Sequence, residues 1–140
     1  MKKLILILSM LFVYASLNAQ DIELKGEPET FEMEWEGEKV VMQKYFIVFL
    51  KKGPNRDQGE DEAAKIQEQH LAYLGGLFKK GILNMNGPTD GDAGIQGFSI
   101  YNVPKIEDAI KLASNDPAVK AGRLVVEAHP WWLAKGSSVK

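Results

Sequence analysis

Tyr45-Phe46-Ile47-Val48-Phe49-Leu50 is an unbroken apolar run of β-forming residues. A half-buried strand alternates apolar with polar positions, so a run that is apolar throughout reads as a central strand covered on both faces. Gly53-Pro54-Asn55 ends it in a loop that carries Arg56 and Asp57. The period then changes. Ala63, Ile66, His70, Leu74 and Leu77 recur at spacings of three and four, which predicts a helix from about Glu60 to Lys80. Acidic residues crowd the start of this helix, Lys79-Lys80 lie at its end, and Gly81 stops it.

Ile82 to Asn86 reads as a short strand ending at Gly87-Pro88, and Ile95 to Val103 as a second central strand with alternating pattern. Ile106 to Ala113 is a short helix with Ile106, Ala109, Ile110 and Ala113 on one face. Asp116-Pro117 through Gly122 is a capped turn, Arg123 to Ala128 the last strand, and His129-Pro130-Trp131-Trp132 the close of the domain. The order from Tyr45 is β-α-β-β-α-β, the split arrangement of a ferredoxin-like α+β sandwich.

Two helices cover one face of such a sheet, yet Tyr45 to Leu50 is apolar on both. A second copy packed sheet to sheet is the simplest cover, so a homodimer is expected, and its partner sheet is expected to close the pocket around His70. The acidic arm that precedes the domain is the competing cover. It carries eight acidic residues and one Lys between Asp21 and Glu38, against 14 basic and 11 acidic residues from Lys39 onward. Within it Phe31, Met33 and Trp35 alternate with Glu32, Glu34 and Glu36, and Glu36-Gly37 offers a hairpin turn.

The chain of 140 residues begins Met1-Lys2-Lys3, followed by an apolar run from Leu4 to Val13 and by Ser16-Leu17-Asn18-Ala19. That is the pattern of a secretory signal peptide, and the run is shorter than the roughly 20 apolar residues of a membrane span. An uncleaved anchor is the competing reading. The expected organisation is a signal peptide at 1–19, an acidic arm at 20–40, one domain at 41–134 and a tail at 135–140. The expected location of the mature protein, beginning at Gln20, is the periplasm or the cell exterior, with no stable membrane span after cleavage.

Composition bounds the chemistry. With no Cys, thiolate nucleophiles, disulfides and Cys-based metal sites are excluded. Only two His are present and the formal net charge is −2, so neither a metal or cofactor nor a nucleic-acid partner is expected. His70 sits on the apolar helix stripe, where a buried imidazole needs a partner. A backbone carbonyl would serve; so would Asp116. The Asp-Pro step marks Asp116 as an N-cap, but capping uses part of one carboxylate's acceptor capacity. An Asp that fixes a His tautomer makes a usable general base near neutral pH.

The remaining candidates carry bland alternatives of comparable weight. Arg56 is either an anion-holding fork or a solvated loop charge. Gly87-Pro88 is a turn or a close backbone approach to a pocket. Ser99 lies beside Gly97 and leaves room; no G-x-S-x-G surrounds it. His129, Trp131 and Trp132 follow the last strand and line an aromatic pocket, cover an edge or form a dimer contact.

Taken together, His70-Leu71, Gly87-Pro88, Asp116-Pro117-Ala118-Val119-Lys120-Ala121-Gly122 and His129-Pro130-Trp131 resemble the YCII-related (YciI-like) family over roughly Tyr45 to Trp132. Gly53-Pro54-Asn55-Arg56 also looks like one branch of it. The resemblance implies a ferredoxin-like fold in dimeric α+β barrels and a His–Asp pair in the pocket, which here would be His70 and Asp116. It also implies proton transfer, elimination or isomerisation on small acids. The export signal and acidic arm depart from the simplest, cytoplasmic members. The functional expectation is a lyase- or isomerase-like enzyme acting on a small organic acid, with Arg56, Gly87, Pro88, Ser99, His129 and Trp131 as ligand contacts. The rival is a non-catalytic ligand-binding or interaction module.

Overall fold

A computed structural model describes residues 22–140; the proposed signal peptide lies outside the described residues. The strands and α-helices follow in order: β1 (Thr30–Trp35), β2 (Glu38–Lys52), α1 (Glu60–Lys79), β3 (Leu83–Pro88), β4 (Ile95–Tyr101), α2 (Ile106–Ser114), α3 (Pro117–Lys120) and β5 (Leu124–Ala134). From β2 onward this is β-α-β-β-α-β with α3 as an added turn. The four strands run β5-β2-β4-β3, every neighbour antiparallel. That order identifies the ferredoxin-like α+β sandwich.

β2 is the spine. It extends well beyond the apolar run, back to Glu38, because its first half is paired too. β5 follows one edge from Met42 to Lys52, while β1 and then β4 share the other edge. β1 turns into β2 through Glu36 and Gly37, both at positive φ, in a tight hairpin. The arm therefore lengthens the sheet rather than lying across it. Its apolar residues point to the helix side: Phe31 meets Trp132 edge to face at 4.8 Å, and Lys44 lies 4.9 Å from the same Trp132 ring.

The core forms between the sheet and the helices. Phe46, Val48 and Leu50 of β2 pack with Ile66, Leu74 and Leu77 of α1, Leu112 and Ala113 of α2, and Leu83, Tyr101 and Leu124 of the other strands. Full burial of each large aliphatic side chain contributes about 1.5–3 kcal/mol. The α2 stripe is rotated by one position from its sequence reading: Leu112 is buried and Ile110 is 42% exposed. Ala109, Leu112 and Ala113 form the inward i, i+3, i+4 set, a choice that two overlapping apolar stripes leave to tertiary packing.

The last strand also differs from expectation. It does not stop at Ala128 but runs through His129-Pro130-Trp131-Trp132 to Ala134. Proline is tolerated because β2 is the only strand beside β5 among the described residues, and an edge strand can turn a position without N–H outward. Tyr45, Ile47 and Phe49 face the side without helices. There the C-terminal tail, Gly136 to Val139, bounds a cavity of about 190 Å³ with Tyr45, Met85, Ile100 and Trp131. Tyr45 and Ile100 are thereby buried, whereas Val125 and Trp131 remain exposed. No helix among the described residues is long and apolar enough to cross a membrane.

β2 ends where its chain passes closest to the start of β5. Gly53 N donates to Arg123 O at 2.8 Å and Asn55 N to Gly122 O at 2.9 Å. A Cβ at position 53 would sit 2.2 Å from Gly122 O and 2.7 Å from Arg123 C, both backbone atoms. Gly53→Ala should therefore destabilise the protein by about 1–3 kcal/mol in urea denaturation, whereas Gly59→Ala, with open space around its Cβ, stays close to wild type. Equal stability of the two variants would show that this close approach is absent.

Candidate active site

Asp116 caps α3. Its Oδ1 accepts from Ala118 N at 2.8 Å, and Pro117 occupies the first helical position. The other oxygen looks across to α1. His70 Nδ1–H donates to Asp116 Oδ2 at 2.6 Å, and both residues are buried, Asp116 to 1% exposure. The apolar helix stripe thus carries one polar side chain, and the cap supplies its partner. An ionised carboxylate only accepts, so the contact fixes the proton of neutral His70 on Nδ1 and leaves the Nε2 lone pair free. Nε2 has no protein partner among the described residues, nor is it a sealed, unsatisfied atom.

His70 lines a cavity of about 270 Å³ between α1 and the helix side of the sheet. Leu71, Leu74, Leu50 and Pro88 give it apolar walls; Gln67, Asn86, Gln96 and Ser99 add polar groups. Arg56 reaches it from the loop after β2, and Arg123 from the start of β5. Arg56 Nη1 donates to Arg123 O at 2.9 Å, tying the loop to the strand. Gly97 lets β4 run close to β3, since a Cβ there would lie 2.7 Å from Gly87 O. Behind the pair, Tyr73 donates from its hydroxyl to Leu112 O at 2.7 Å. Burial first, and the Asp116 charge second, push the Tyr73 phenol up to about 12, so it remains a neutral donor.

The cavity brings together His70, Arg56, Gly87, Pro88 and Ser99, with Asp116 directly behind the imidazole. It does not bring His129 or Trp131. Strand alternation sends both to the opposite face, where His129 Nε2 pairs with Glu127 Oε1 at 2.9 Å and Trp131 lines the second cavity. Arg123, Gln67, Asn86 and Gln96 were not singled out by sequence. Only Arg123 had a visible signal, a cation placed directly after the Gly122 that ends the Asp-Pro segment.

Asparagine in place of Asp116 can keep the cap but turns an N–H₂ donor toward His70. In wild type, ¹⁵N NMR should place the neutral His70 proton on Nδ1, and Asp116→Asn should move it to Nε2. Asp116→Ala, which loses both bonds, should cost about 2–4 kcal/mol of stability and clearly more than Asp116→Asn. A wild-type proton on Nε2 would contradict the pairing.

No curated protein matches the chain. Among solved structures it is similar to 5-chloro-2-hydroxyhydroquinone dehydrochlorinase (TftG) from Burkholderia phenoliruptrix AC1100 in complex with 2,5-dihydroxybenzoquinone. The identity is 24% and the TM-score 0.47, covering 62% of this chain and 92% of that one. The family model of the YCII-related domain matches residues 45–131, a span that contains β2 from Tyr45, the whole cavity and both members of the His70–Asp116 pair. The chain belongs to the YCII-related family.

Proposed function

We propose that this domain is an exported enzyme that moves a proton on a small organic acid in a lyase- or isomerase-like reaction. His70 acts as general acid/base, Asp116 as the positioning residue and Arg56 as a holder of the substrate anion. One observation carries the reading. An imidazole held by a buried carboxylate at 2.6 Å lines a cavity large enough for a small molecule. A histidine kept only for packing would have no need of an open Nε2. Gly87, Pro88 and Ser99 shape the wall against which the substrate lies.

A positioned base contributes typically 10²–10⁴-fold to rate. The direct test is to screen small organic acids for thermal stabilisation, then to follow carbon-bound hydrogen exchange of the stabilising acids in D₂O by NMR. Wild type should catalyse exchange, and His70→Gln should slow it by about 10²-fold or more while still binding. Binding with no exchange in wild type would establish the non-catalytic module instead.

The mature protein is further proposed to be a homodimer joined through the open face of the sheet. Ile47 and Phe49 are half-buried there, and Val125 and Trp131 exposed, so about 1.5–3 kcal/mol is available for each large side chain covered, before the cost of association. The arm does not compete for this face, because it pairs edge-on with β2. Protein recovered from its own host should begin near Gln20 by intact mass and sediment as a dimer at micromolar concentration. Retention of Met1 would overturn export, and a monomer would overturn the dimer.

A further inference from the structure

Arg56 and Arg123 both line one cavity, and neither has a carboxylate partner among the described residues. Lysines, by contrast, do form ion pairs: Lys25 with Glu23, Lys44 with Glu29 and Lys51 with Glu127. Arg56 commits one N–H to Arg123 O, and Arg123 commits one to Gln58 Oε1 at 2.8 Å. A guanidinium has five N–H donors, so most of each fork stays available. The lining contains no Asp or Glu. The nearby carboxylate of Asp116 is already divided between Ala118 N and His70.

Charges of one sign gathered on a concave wall repel each other and concentrate the counter-ion. Arg123 is half-buried and its backbone is fixed on both sides: its N–H donates to Ala118 O at 3.0 Å, and its C=O accepts from Gly53 N. Arg56 is fastened to it by the bond to that same carbonyl. The half-buried Arg123 thus offers the exposed Arg56 an anchor at the cavity. A monoanion would balance one of the two charges; a dianion balances both. The volume of about 270 Å³ restricts the ligand to less than drug size.

We infer that the cavity selects small organic dianions, with Arg123 joining Arg56 to hold the second negative charge. This rests on the reading of the cavity as the substrate site and adds its charge class. The test uses succinate and its monoamide, succinamate, which match in size and differ by one charge, titrated calorimetrically into the full mature chain at low salt. Succinate should bind at least about tenfold tighter. The preference should shrink to within about threefold in Arg123→Gln, and it should persist in Arg123→Lys, which retains the charge. His70→Gln should leave it intact. Circular dichroism confirms folding of each variant, and Arg56→Gln gives a second, independent reduction.

Equal affinity for the two compounds, no binding of either, or an undiminished preference in Arg123→Gln would overturn the inference. Failure of hydrogen exchange with the dianion preference intact would remove the proton-transfer reading alone. Exchange restricted to monoanionic acids would remove this one alone.

Discussion

Everything at the site depends on how one carboxylate is shared. Asp116 is almost wholly buried, where an unpaired charge would be costly, so each of its oxygens needs a donor. One donor is the backbone N–H at the start of α3; the other is the imidazole of α1. The first bond fixes the carboxylate relative to the backbone that leads into β5. The second makes α1 choose its rotation and depth, because His70 lies one turn from both Ile66 and Leu74 on the stripe that faces the core. A structural cap therefore sets the orientation of the imidazole ring, and the tautomer follows from the chemistry of the acceptor.

The cavity residues come from distant stretches of chain, and the sheet order brings them together. β2 and β5 are neighbours although they begin and end the domain, so the loop with Arg56 lies against Gly122 and Arg123. β4 enters from the other edge of β2 with Gly97 and Ser99, and α1 covers both with His70. Neither half of the β-α-β-β-α-β chain contains the site alone. Close packing at Gly53 and Gly97 keeps the walls near enough to enclose a volume instead of an open groove.

How much of this was legible in the sequence depended on whether the signal was local. Tyr45 to Leu50 and the stripe from Ala63 to Leu77 revealed the central strand and the first helix, because each buried face repeats with its own period. The Asp-Pro step showed the cap, and acceptor counting left room for the second bond to His70. The α2 face was not legible, since Ile110 and Leu112 are equally apolar and only packing against β2 and β5 selects Leu112. The length of β5 was hidden by Pro130, which reads as a terminator until the strand is known to be an edge. The second arginine was hidden because its importance depends on contact with residues 65 or more positions away, at Gln58 and Arg56.

The His129-Pro130-Trp131 segment shows how alternation divides one strand between two tasks. Leu124, Val126 and Ala128 point to the helices and complete the core, while Val125, Glu127, His129 and Trp131 point away. On that outer face Lys51 donates to Glu127 at 2.8 Å, and with His129 it holds the Glu127 carboxyl below the usual carboxylate range. The charged group is therefore already paired within the face, beside the apolar surface of Phe49, which meets His129 edge to face at 6.2 Å. A single slip of β5 against β2 would exchange the two sets, placing Glu127 and His129 in the core and Val126 outside. The apolar core excludes that register. The same constraint that makes the core keeps His129 and Trp131 on the opposite side of the sheet from His70.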